Sequence, residues 1–537
     1  MNILGFSCFN HDSAACLLRG GQLVAAVEEE RLTRVKHDDR FPTLAIQSVL
    51  AQGGLTGADL DAVVFYEEPA PDTDLAETLP ALLAEACGYH GALSFCDHHR
   101  AHAAFSYYGS LFDHAAVLTI DDTGGAGTTS LYVGRGRDLT LINATPHPHS
   151  LGLLYAAMTE YLGFETFEGE YKAMGLAAYG KPLYGEALQK LVSLQEDGGF
   201  CLDLSFFDFE ASPLFTDKLV ALLGPPRRPE APMESRFADI AASLQKLIED
   251  VLLHLVRAAK NQTGAPDLCL SGSLGHNVVA NSLIAQSGLF DHVHIPFACG
   301  NNGAAIGAAV DAHIQNGGER SALRNPSPYL GADYTDQEIE AALKQHNCVY
   351  EKLEAKALLA KTAALLAQNR VVGWFQGRME FGPRALGNRS LLASASGTAM
   401  KDLLNERVKH RETFRPFAPA VIAEKAGEYF DLPDSLSGHS PHMLYAATVR
   451  PEKRAAIPAV THEDGSARPQ TVAHENNPLF YDLLRQYEAL TGIPILINTS
   501  FNVRGEPIVA SPADALRCFQ STGIDALAMG CFLVRKS

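Results

Sequence analysis

The sequence predicts a mixed α/β protein in which a duplicated strand–turn–hairpin unit precedes a second domain of different texture. Near the N-terminus, NILGFSCF has the pattern of an apolar strand, NHDS of a turn, and AACLLRGGQLVAAVEEE of a hairpin that turns at Gly20-Gly21. About a hundred residues later AAVLTI, DDTGGAG and TTSLYVGRGRDLTLI repeat this order. Beyond residue 346 the chain instead carries dense basic and polar motifs.

A repeat of this kind, with an acidic residue at the first turn, indicates a duplicated domain. The pattern is typical of the actin, hexokinase and Hsp70 (ASKHA) class, in which the two first turns face each other across a nucleotide cleft. Two unrelated hairpins are the alternative explanation.

Helices are predicted between and after these strands. LAETLPALLAEACGYHG looks helical, and FADIAASLQKLIEDVLLHLVRAAKN has the clearest helical spacing of apolar residues. In PDLCLSGSLGHNVVANSLI and PFACGNNGAAIGAAVDAHI, turns of small residues open helices and suit the close approach of a ligand. The polar stretch 315–330 contains Gly and Pro and predicts a linker. We therefore expect one domain over residues 1–345, with a linker at about 315–345, and a second over residues 346–537.

Composition and charge exclude several classes of function. The 537 residues, 47% hydrophobic and 20% charged, suffice for about two to four globular domains. A net charge of −19 without a Lys/Arg tract argues against nucleic-acid and membrane-surface partners, but leaves room for a small anion at a local basic cluster. Ten scattered cysteines, no signal-peptide pattern and no bilayer-length apolar run favour a cytoplasmic protein.

The stretch DHHRAHAAFSYYG, residues 97–109, concentrates three of the chain's 20 histidines. If it is helical, His98 and His102 lie on one face, with Asp97 as the N-cap. This is a metal-ligand spacing that suits iron, zinc or nickel, although a capping or core histidine pair is the alternative. Asp121 ends the strand AAVLTI at the first turn of the second repeat, where its carboxylate would point into the cleft.

Basic residues among glycines mark the second domain. They are Arg378, Arg384 and Arg389 in QGRMEFGPRALGNRS, then Lys409, Arg411 and Arg415 within seven positions. Guanidinium forks bind phosphate, and glycines let backbone N–H groups approach an anion, so an oligophosphate site is predicted. Surface arginines paired with Glu380 and Glu412 are the alternative. The strand end INTSFN presents further hydroxyl and amide groups suited to a phosphate or a small planar amide, at Thr499, Ser500 and Asn502.

Other polar residues lie at turns of the first domain. His11 and Asp12 occupy the first turn of the first repeat, and Glu168, Glu170 and Lys172 fall among glycines in FEGEYKAMGLAAYG. Each suits an ordinary turn. In one cleft they would surround a bound nucleotide.

Six motifs carry a resemblance that spans the chain: NHDSAA…VEEERLTRVKHD, DHHRAHA, EGEYKAMGLAAYGKP, GWFQGRMEFGPRALGNRSLLA, VKHRETFRPFAPAV and INTSFNVRGEPIV. Together they resemble the O-carbamoyltransferases of antibiotic tailoring and nodulation-factor synthesis. The resemblance implies a YrdC-like C-terminal domain that makes carbamoyl-adenylate from carbamoyl phosphate and ATP, with Mg²⁺. It also implies an N-terminal domain that passes the carbamoyl group to a hydroxyl of a small molecule, a secondary metabolite or a glycan, beside a metal that is usually iron. A homodimer fits enzymes of this type.

The same resemblance implies roles for individual residues. His98, His102, Asp121 and Asn301 would be metal ligands, although the family usually has aspartate at the position of Asn301, and a neutral amide binds a cation more weakly. His11, Asp12 and Lys172 would be catalytic, with His11 as the candidate base. The substrates and nucleotide would be bound by Arg378, Arg384, Asn388, Lys409, Arg411, Arg415, Arg468, Thr499, Ser500 and Asn502, and in the first domain by Ser271, Gly272, Asn277, Gly300 and Gly303.

Three other functions compete with this hypothesis. An N-carbamoyltransferase would use the same activation chemistry on an amine. A nucleotide-binding regulator that has lost transfer would explain Asn301 but not the basic motifs at 378–415. A cysteine-carbamoylating protein of hydrogenase maturation would be expected to carry zinc-finger cysteines, and this chain has no CxxC.

Overall fold

A computed structural model describes residues 1–69, 73–125, 127–412 and 414–536. Its first unit is a five-stranded mixed sheet in the order β3-β2-β1-β4-β5. The strands are β1 (Asn2–Ser7), β2 (Ala14–Arg19), β3 (Gln22–Glu28), β4 (Ala62–Phe65) and β5 (Leu93–Phe95). The predicted hairpin is confirmed: β2 and β3 turn at Gly20 and Gly21, whose φ angles of +58° and +83° favour glycine. Three helices lie between the strands: α1 (Glu29–Thr33), α2 (Thr43–Gly53) and α3 (Leu75–Cys87).

The second unit repeats the topology of the first. After α4 (His98–Gly109) come β6 (His114–Gly124), β7 (Gly127–Arg135), β8 (Asp138–Pro146), the short hairpin β9 (Val192–Leu194) and β10 (Phe200–Leu202), then β11 (Asp267–Ser271) and β12 (Val293–His294). The sheet order is β12-β11-β6-β7-β8, so three antiparallel strands are again followed by two parallel ones. The predicted duplication is confirmed by this equal strand order. Ala126, in the predicted DDTGGAG turn, lies outside the described residues.

Helices cover the second sheet and join it to the first. They are α5 (Leu151–Tyr161), α6 (Glu170–Ala177), α7 (Gly185–Leu188), α8 (Asp217–Leu223), α9 (Ser235–Thr263), α10 (Val278–Gln286) and α11 (Asn301–Gln315). The small residues of α11 let it pack tightly between α4 and β1. A Cβ at Gly307 would lie 1.8 Å from the Ala101 carbonyl oxygen, and one at Gly5 would lie 2.2 Å from that of Ala305. Helix α11 therefore holds the two units together through backbone contact.

The C-terminal part is built on an eight-stranded sheet, and the mixed α/β class is thereby confirmed for the whole chain. The order is β13-β23-β22-β14-β15-β21-β16-β20, and β17, β18 and β19 form a small separate sheet. The strands are β13 (Val349–Lys352), β14 (Val372–Phe375), β15 (Arg389–Ser394), β16 (Ala418–Ile422), β17 (Phe430–Asp431), β18 (Ala447–Val449), β19 (Ser466–Ala467), β20 (Gln470–Val472), β21 (Ile495–Ser500), β22 (Ala526–Met529) and β23 (Phe532–Arg535).

Helices pack on both faces of this sheet over two apolar cores. They are α12 (Asp336–Gln345), α13 (Ala355–Ala367), α14 (Thr398–Leu404), α15 (Ala426–Tyr429), α16 (Pro478–Thr491) and α17 (Pro512–Ser521). Ile339 and Leu343 of α12 pack into the C-terminal core. The domain boundary at residue 345 stays a prediction. No helix in the described ranges is long and apolar enough to cross a bilayer.

A buried junction ties the N-terminal units to the C-terminal sheet. Glu28 accepts a hydrogen bond from the Gly382 backbone N–H (2.7 Å), and the Arg31 guanidinium donates to the Gly382 carbonyl (2.9 Å). Gly382 has a φ of +109°, which favours glycine at this contact. Burial raises the pKa of Glu28 to about 7, in spite of Arg31 nearby. The junction fixes the loop 380–384, which carries Arg384, against the first unit.

Candidate active site

The first group of candidate ligands lies where α4 begins beside β6. Asp97 caps the helix by accepting a hydrogen bond from the Arg100 backbone N–H (2.8 Å), as predicted, so His98 and His102 emerge one turn apart on the same face. Both Nε2 atoms lie 2.9 Å from one oxygen, Oδ2 of Asp121. The three side chains are buried. The geometry brings two imidazoles and a carboxylate to one point.

This donor set fits a divalent cation. The three ligand atoms lie within 4.8 Å of one another, and imidazole with carboxylate suits zinc, iron or nickel. Burial disfavours the charged forms of these groups, but the hydrogen bond with Asp121 and the charge of Asp121 raise the pKa of His98. The two histidines in turn hold the pKa of Asp121 well below its ordinary value. Oδ1 of Asn301, at the start of α11, lies 3.3 Å from His102 Nε2. A neutral amide is therefore the neighbour of the three buried ligands.

His99, the third histidine of this stretch, faces another partner. Its Nδ1 lies 2.7 Å from Thr119 Oγ1 on β6. Burial, with the neighbouring His98, lowers the pKa of His99 to about 4, so the ring is neutral. His99 is not among the grouped ligand atoms.

A second group, here called the histidine cluster, comprises His11, Asp12 and His37. Asp12 stands between the two rings, with Oδ2 2.8 Å from His11 Nδ1 and Oδ1 2.7 Å from His37 Nδ1. The φ angles of Asp12 (+56°) and His37 (+54°) are unusual for residues other than glycine. Such strain concentrates at functional sites. The first turn of the first repeat thus does present polar side chains as a group.

Five basic side chains form a third group, the cation cluster. Its members are Arg384, Lys409, Arg411, Arg415 and Arg468. Glu412 is a nearby carboxylate, 3.8 Å from Arg415, but it also lies 3.7 Å from Arg504. The structure gives Arg384 and Arg468 no hydrogen bond or ion pair within the described ranges, and Arg384 Nε is buried. The cluster therefore carries more positive charge than its surroundings neutralise.

The electrostatics of the cation cluster are those of an anion site. Burial, together with Arg411 and Arg415, lowers the pKa of Lys409 well below its ordinary value, and burial with Arg415 lowers that of Arg411 to about 9. Lys409 Nζ is held by β21 and the loop after it, donating to Ser500 O (2.5 Å) and Asn502 Oδ1 (2.7 Å). A bound anion would relieve the mutual repulsion of these groups.

One cavity of about 520 Å³ reaches all three groups. Its wall includes Asp121 and Asn301 at the candidate metal site, and the whole histidine cluster. At the other end the wall is formed by members or neighbours of the cation cluster, namely Arg384, Arg415, Ser500 and Asn502. A cavity of this size holds a small-molecule ligand. The two ends are therefore connected inside the protein.

Family models account for most of the chain. The model described as "Carbamoyltransferase N-terminus" matches residues 2–80 and 81–310, and "Carbamoyltransferase C-terminus" matches residues 363–536. The chain belongs to the carbamoyltransferase family.

The chain is also similar to several known proteins. Nodulation protein NolNO of Sinorhizobium fredii is 36% identical over 98% of this chain and 79% of its own length. Nodulation protein U of Rhizobium tropici is 31% identical over 96% and 93%. The uncharacterized protein sll1178 of Synechocystis is 43% identical over 100% and 97%. Among solved structures, HypF of T. kodakarensis has a TM-score of only 0.33 at 15% identity, over 60% of this chain and 49% of that one.

Several residues predicted to bind ligands lie away from the cavity wall of this carbamoyltransferase. Arg378 donates to the carbonyls of Val24 (2.8 Å) and Gly331 (3.1 Å) and so ties β3 to the segment that precedes α12. Asn388 donates to the Arg378 carbonyl (2.7 Å). The remaining predicted residues that do not line the cavity are His98, His102, Lys172, Ser271, Gly272, Gly303, Thr499, Lys409, Arg411 and Arg468.

Two of these residues are explained by close packing, and a third contacts a candidate metal ligand. A Cβ at Gly272 would lie 2.1 Å from the Ile120 carbonyl oxygen, and one at Gly303 would lie 1.8 Å from that of Ala298. Ser271 Oγ lies 3.5 Å from His102 Nδ1, the ring nitrogen that does not face Asp121. Asn277 and Gly300 do line the cavity, although the Asn277 side chain is engaged as the N-cap of α10.

Sequence reasoning missed His37 and Asp122. His37 lies in the VKHD motif that carried the resemblance, but nothing in its spacing pairs it with the distant Asp12. Asp122 lines the cavity, and its carboxylate accepts a hydrogen bond from the Ser273 hydroxyl (2.9 Å). Burial and the adjacent Asp121 raise the pKa of Asp122 to about 7. Its place directly after Asp121 was the available signal.

Proposed function

We propose that this carbamoyltransferase makes carbamoyl-adenylate at the cation cluster from carbamoyl phosphate, water and ATP, with release of phosphate and pyrophosphate. It then transfers the carbamoyl group at the end of the cavity that is lined by the histidine cluster, Asp121 and Asn301. The acceptor is a hydroxyl of a small molecule, and AMP is the leaving group. The observation that carries the proposal is the single cavity joining a cation cluster to a buried metal-type donor set.

The cation cluster suits the first reaction. Carbamoyl phosphate and the ATP phosphates, with Mg²⁺, are the anions that five crowded cations would bind, and arginine forks match phosphate geometry. Charge that develops on phosphate oxygens during adenylate formation would meet fixed donors at Arg384 and Arg415. Ser500 and Asn502, both on the cavity wall, would orient the carbamoyl amide.

The connected cavity suits an unstable intermediate. Carbamic acid decomposes in water and a mixed carbamic–phosphoric anhydride hydrolyses, so activation and transfer benefit from a shared enclosed space. A carbamoyl-adenylate made beside Arg384 would reach Asp121 and Asn301 without leaving the cavity.

At the transfer end His98, His102 and Asp121, with Asn301, would hold a divalent cation, for which we propose Fe²⁺. Such an ion supplies Lewis acidity toward the adenylate phosphate or the carbamoyl oxygen. Gly300, on the cavity wall, leaves room for the nucleotide beside this group. A side chain of the histidine cluster takes the proton of the acceptor hydroxyl.

The test is pyrophosphate release from ATP, measured with and without carbamoyl phosphate and in the absence of an acceptor. Release that depends on carbamoyl phosphate is expected. A folded protein that binds ATP but releases no pyrophosphate would contradict the proposal and favour a regulator. Paired alcohol and amine acceptors, added after that result, separate O- from N-carbamoylation.

A further inference from the structure

The histidine cluster presents two imidazoles on one carboxylate, and only one of them can act as a base in this arrangement. Both rings bond to Asp12 through Nδ1, at 2.8 Å from His11 and 2.7 Å from His37. Their Nε2 atoms differ. That of His11 lies 3.1 Å from the Phe167 carbonyl oxygen, whereas within the described ranges that of His37 has no hydrogen-bond partner.

These hydrogen-bond partners determine the protonation state of the His11 ring. A backbone carbonyl and an ionised carboxylate only accept hydrogen bonds, so His11 must carry a proton on both nitrogens. Burial opposes this, but the hydrogen bond with Asp12, the charges of Asp12 and Asp122 and the Phe167 carbonyl raise the pKa of His11 to about 9. His11 is therefore an imidazolium at neutral pH, with no lone pair to receive a proton.

His37 has the opposite arrangement. Its Nδ1–H donates to Asp12, and its backbone N–H donates to Glu30 Oε2 (2.8 Å), so both the ring and the main chain at this residue are held. Its side chain is 31% exposed and lines the cavity. An imidazole that donates Nδ1–H to a carboxylate keeps the lone pair of Nε2 free, as a general base requires.

Three other titratable groups on the cavity wall are less suited. Burial and Arg384 lower the pKa of His276 to about 4, so that ring has little basicity at neutral pH. Glu168 is paired with Lys36, and Glu170 accepts a hydrogen bond from the Phe167 N–H (2.8 Å).

We propose that His37, oriented by Asp12, is the general base that deprotonates the acceptor hydroxyl, and that His11 is a fixed cation beside it. The proposal rests on the proposed function. The acceptor oxygen bonds to the carbamoyl carbon while its proton moves to His37 Nε2. The bond from that carbon to the bridging phosphate oxygen breaks, and AMP leaves with the electron pair. The proton then passes from His37 to solvent.

The test compares His37→Ala and His11→Gln with the unsubstituted protein in two assays. The first is carbamoyl-phosphate-dependent pyrophosphate release, which reports the first reaction. The second is AMP formation with glycerol at molar concentration as the hydroxyl probe. His90→Gln is the matched control, because His90 is exposed and does not line the cavity.

We expect His37→Ala to lower AMP formation about 100-fold or more and to leave the first pyrophosphate burst unchanged, because general-base catalysis contributes roughly 10²–10⁴-fold. Added imidazole should restore part of the lost rate, which a merely structural defect would not allow. His11→Gln should lower AMP formation less, without rescue by imidazole.

Three results would overturn the assignment. His11 would be the base if His11→Gln removed AMP formation while His37→Ala kept it. The histidine cluster also has the spacing of a metal site, and it would be one if His37→Ala lowered the amount of bound metal. Absence of a pyrophosphate burst from the unsubstituted protein would instead refute the proposed function itself, and the assignment with it.

Discussion

Replacing Arg468 by Met should make the ligand-free protein more stable and the ligand-bound protein less stable. Burial and the charges of Arg384, Arg411 and Arg415 lower the pKa of Arg468 well below its ordinary value, which means that its positive charge destabilises the folded state. Methionine has a similar length and no charge. Replacing buried ionic groups by apolar ones is neutral or stabilising by about 1–4 kcal/mol, and we take the low end because Arg468 is half-buried.

The expected magnitudes are measurable by thermal unfolding. A gain of about 1 kcal/mol corresponds to roughly 2–4 °C in Tm for a unit the size of the C-terminal part. Carbamoyl phosphate with α,β-methylene-ATP, which cannot release pyrophosphate, should stabilise the unsubstituted protein by about 2.7 kcal/mol at 100 times its Kd. Loss of a desolvated charge contact of about 2–5 kcal/mol weakens binding at least 30-fold, so the same ligand concentration should stabilise the variant by less than about 1 kcal/mol.

The signature is therefore a reversal of the order of stability when ligand is added. Arg535→Met is the control, since Arg535 is exposed at the end of β23 and should change neither quantity. A variant that loses stability without ligand, or that keeps the full ligand-induced shift, would refute the view that the cation cluster is strained for anion binding.

Three further predictions concern the other groups. Arg415→Ala should lower carbamoyl-phosphate-dependent pyrophosphate release about 30-fold or more, because a truncated phosphate contact costs roughly 2–5 kcal/mol, and an unchanged rate would exclude Arg415 from the activation site. His98→Ala should abolish metal binding, measured by elemental analysis, and carbamoyl transfer, but it should leave pyrophosphate release intact. His99→Ala, on the same helix, should still bind the metal. Equal loss of both reactions in a folded His98 variant would contradict the assignment of activation and transfer to separate sites. Glu28→Gln should flatten the pH dependence of stability. The pKa of Glu28 in the folded protein, about 7, exceeds the ordinary value of 4.5, so the unsubstituted protein loses stability as the pH rises from 4.5 to 7. The variant should therefore be more stable at pH 8 by up to roughly 3 kcal/mol, and equal unfolding midpoints at pH 8 would refute this.

Local patterns in the sequence predicted the elements that depend on neighbouring residues. The hairpin at Gly20-Gly21, the cap at Asp97 and the long helix α9 follow from turn chemistry and apolar spacing over short stretches. The pairing of His98 with His102 is equally local, since one helical turn separates them. Asp121 could be added because the repeat places it at the matching turn of the second unit.

Contacts between distant residues could not be predicted in this way. Arg378 was expected to bind a phosphate from its place among glycines, yet its partners are carbonyls of Val24, Leu330 and Gly331, which only the folded chain brings near. His37 meets His11 at Asp12, and Asp12 and His37 both adopt a positive φ that nothing in the sequence requires. The residue types predicted which chemical groups take part, but which of these residues come together in one site depends on the fold.

The contact between α4 and α11 makes the candidate metal site sensitive to residues that are not themselves candidate metal ligands. Helix α4 carries His98 and His102, and α11 begins with Asn301, so the gap between the two helices sets the distance from the Asn301 amide to the His102 ring. That gap is closed by Gly307, where one methyl group would meet the Ala101 carbonyl at 1.8 Å. A descendant of this chain could keep every candidate ligand and still lose the metal through a single Gly-to-Ala change on the far side of the helix. Conserved ligands alone would then be a poor guide to which homologues retain transfer.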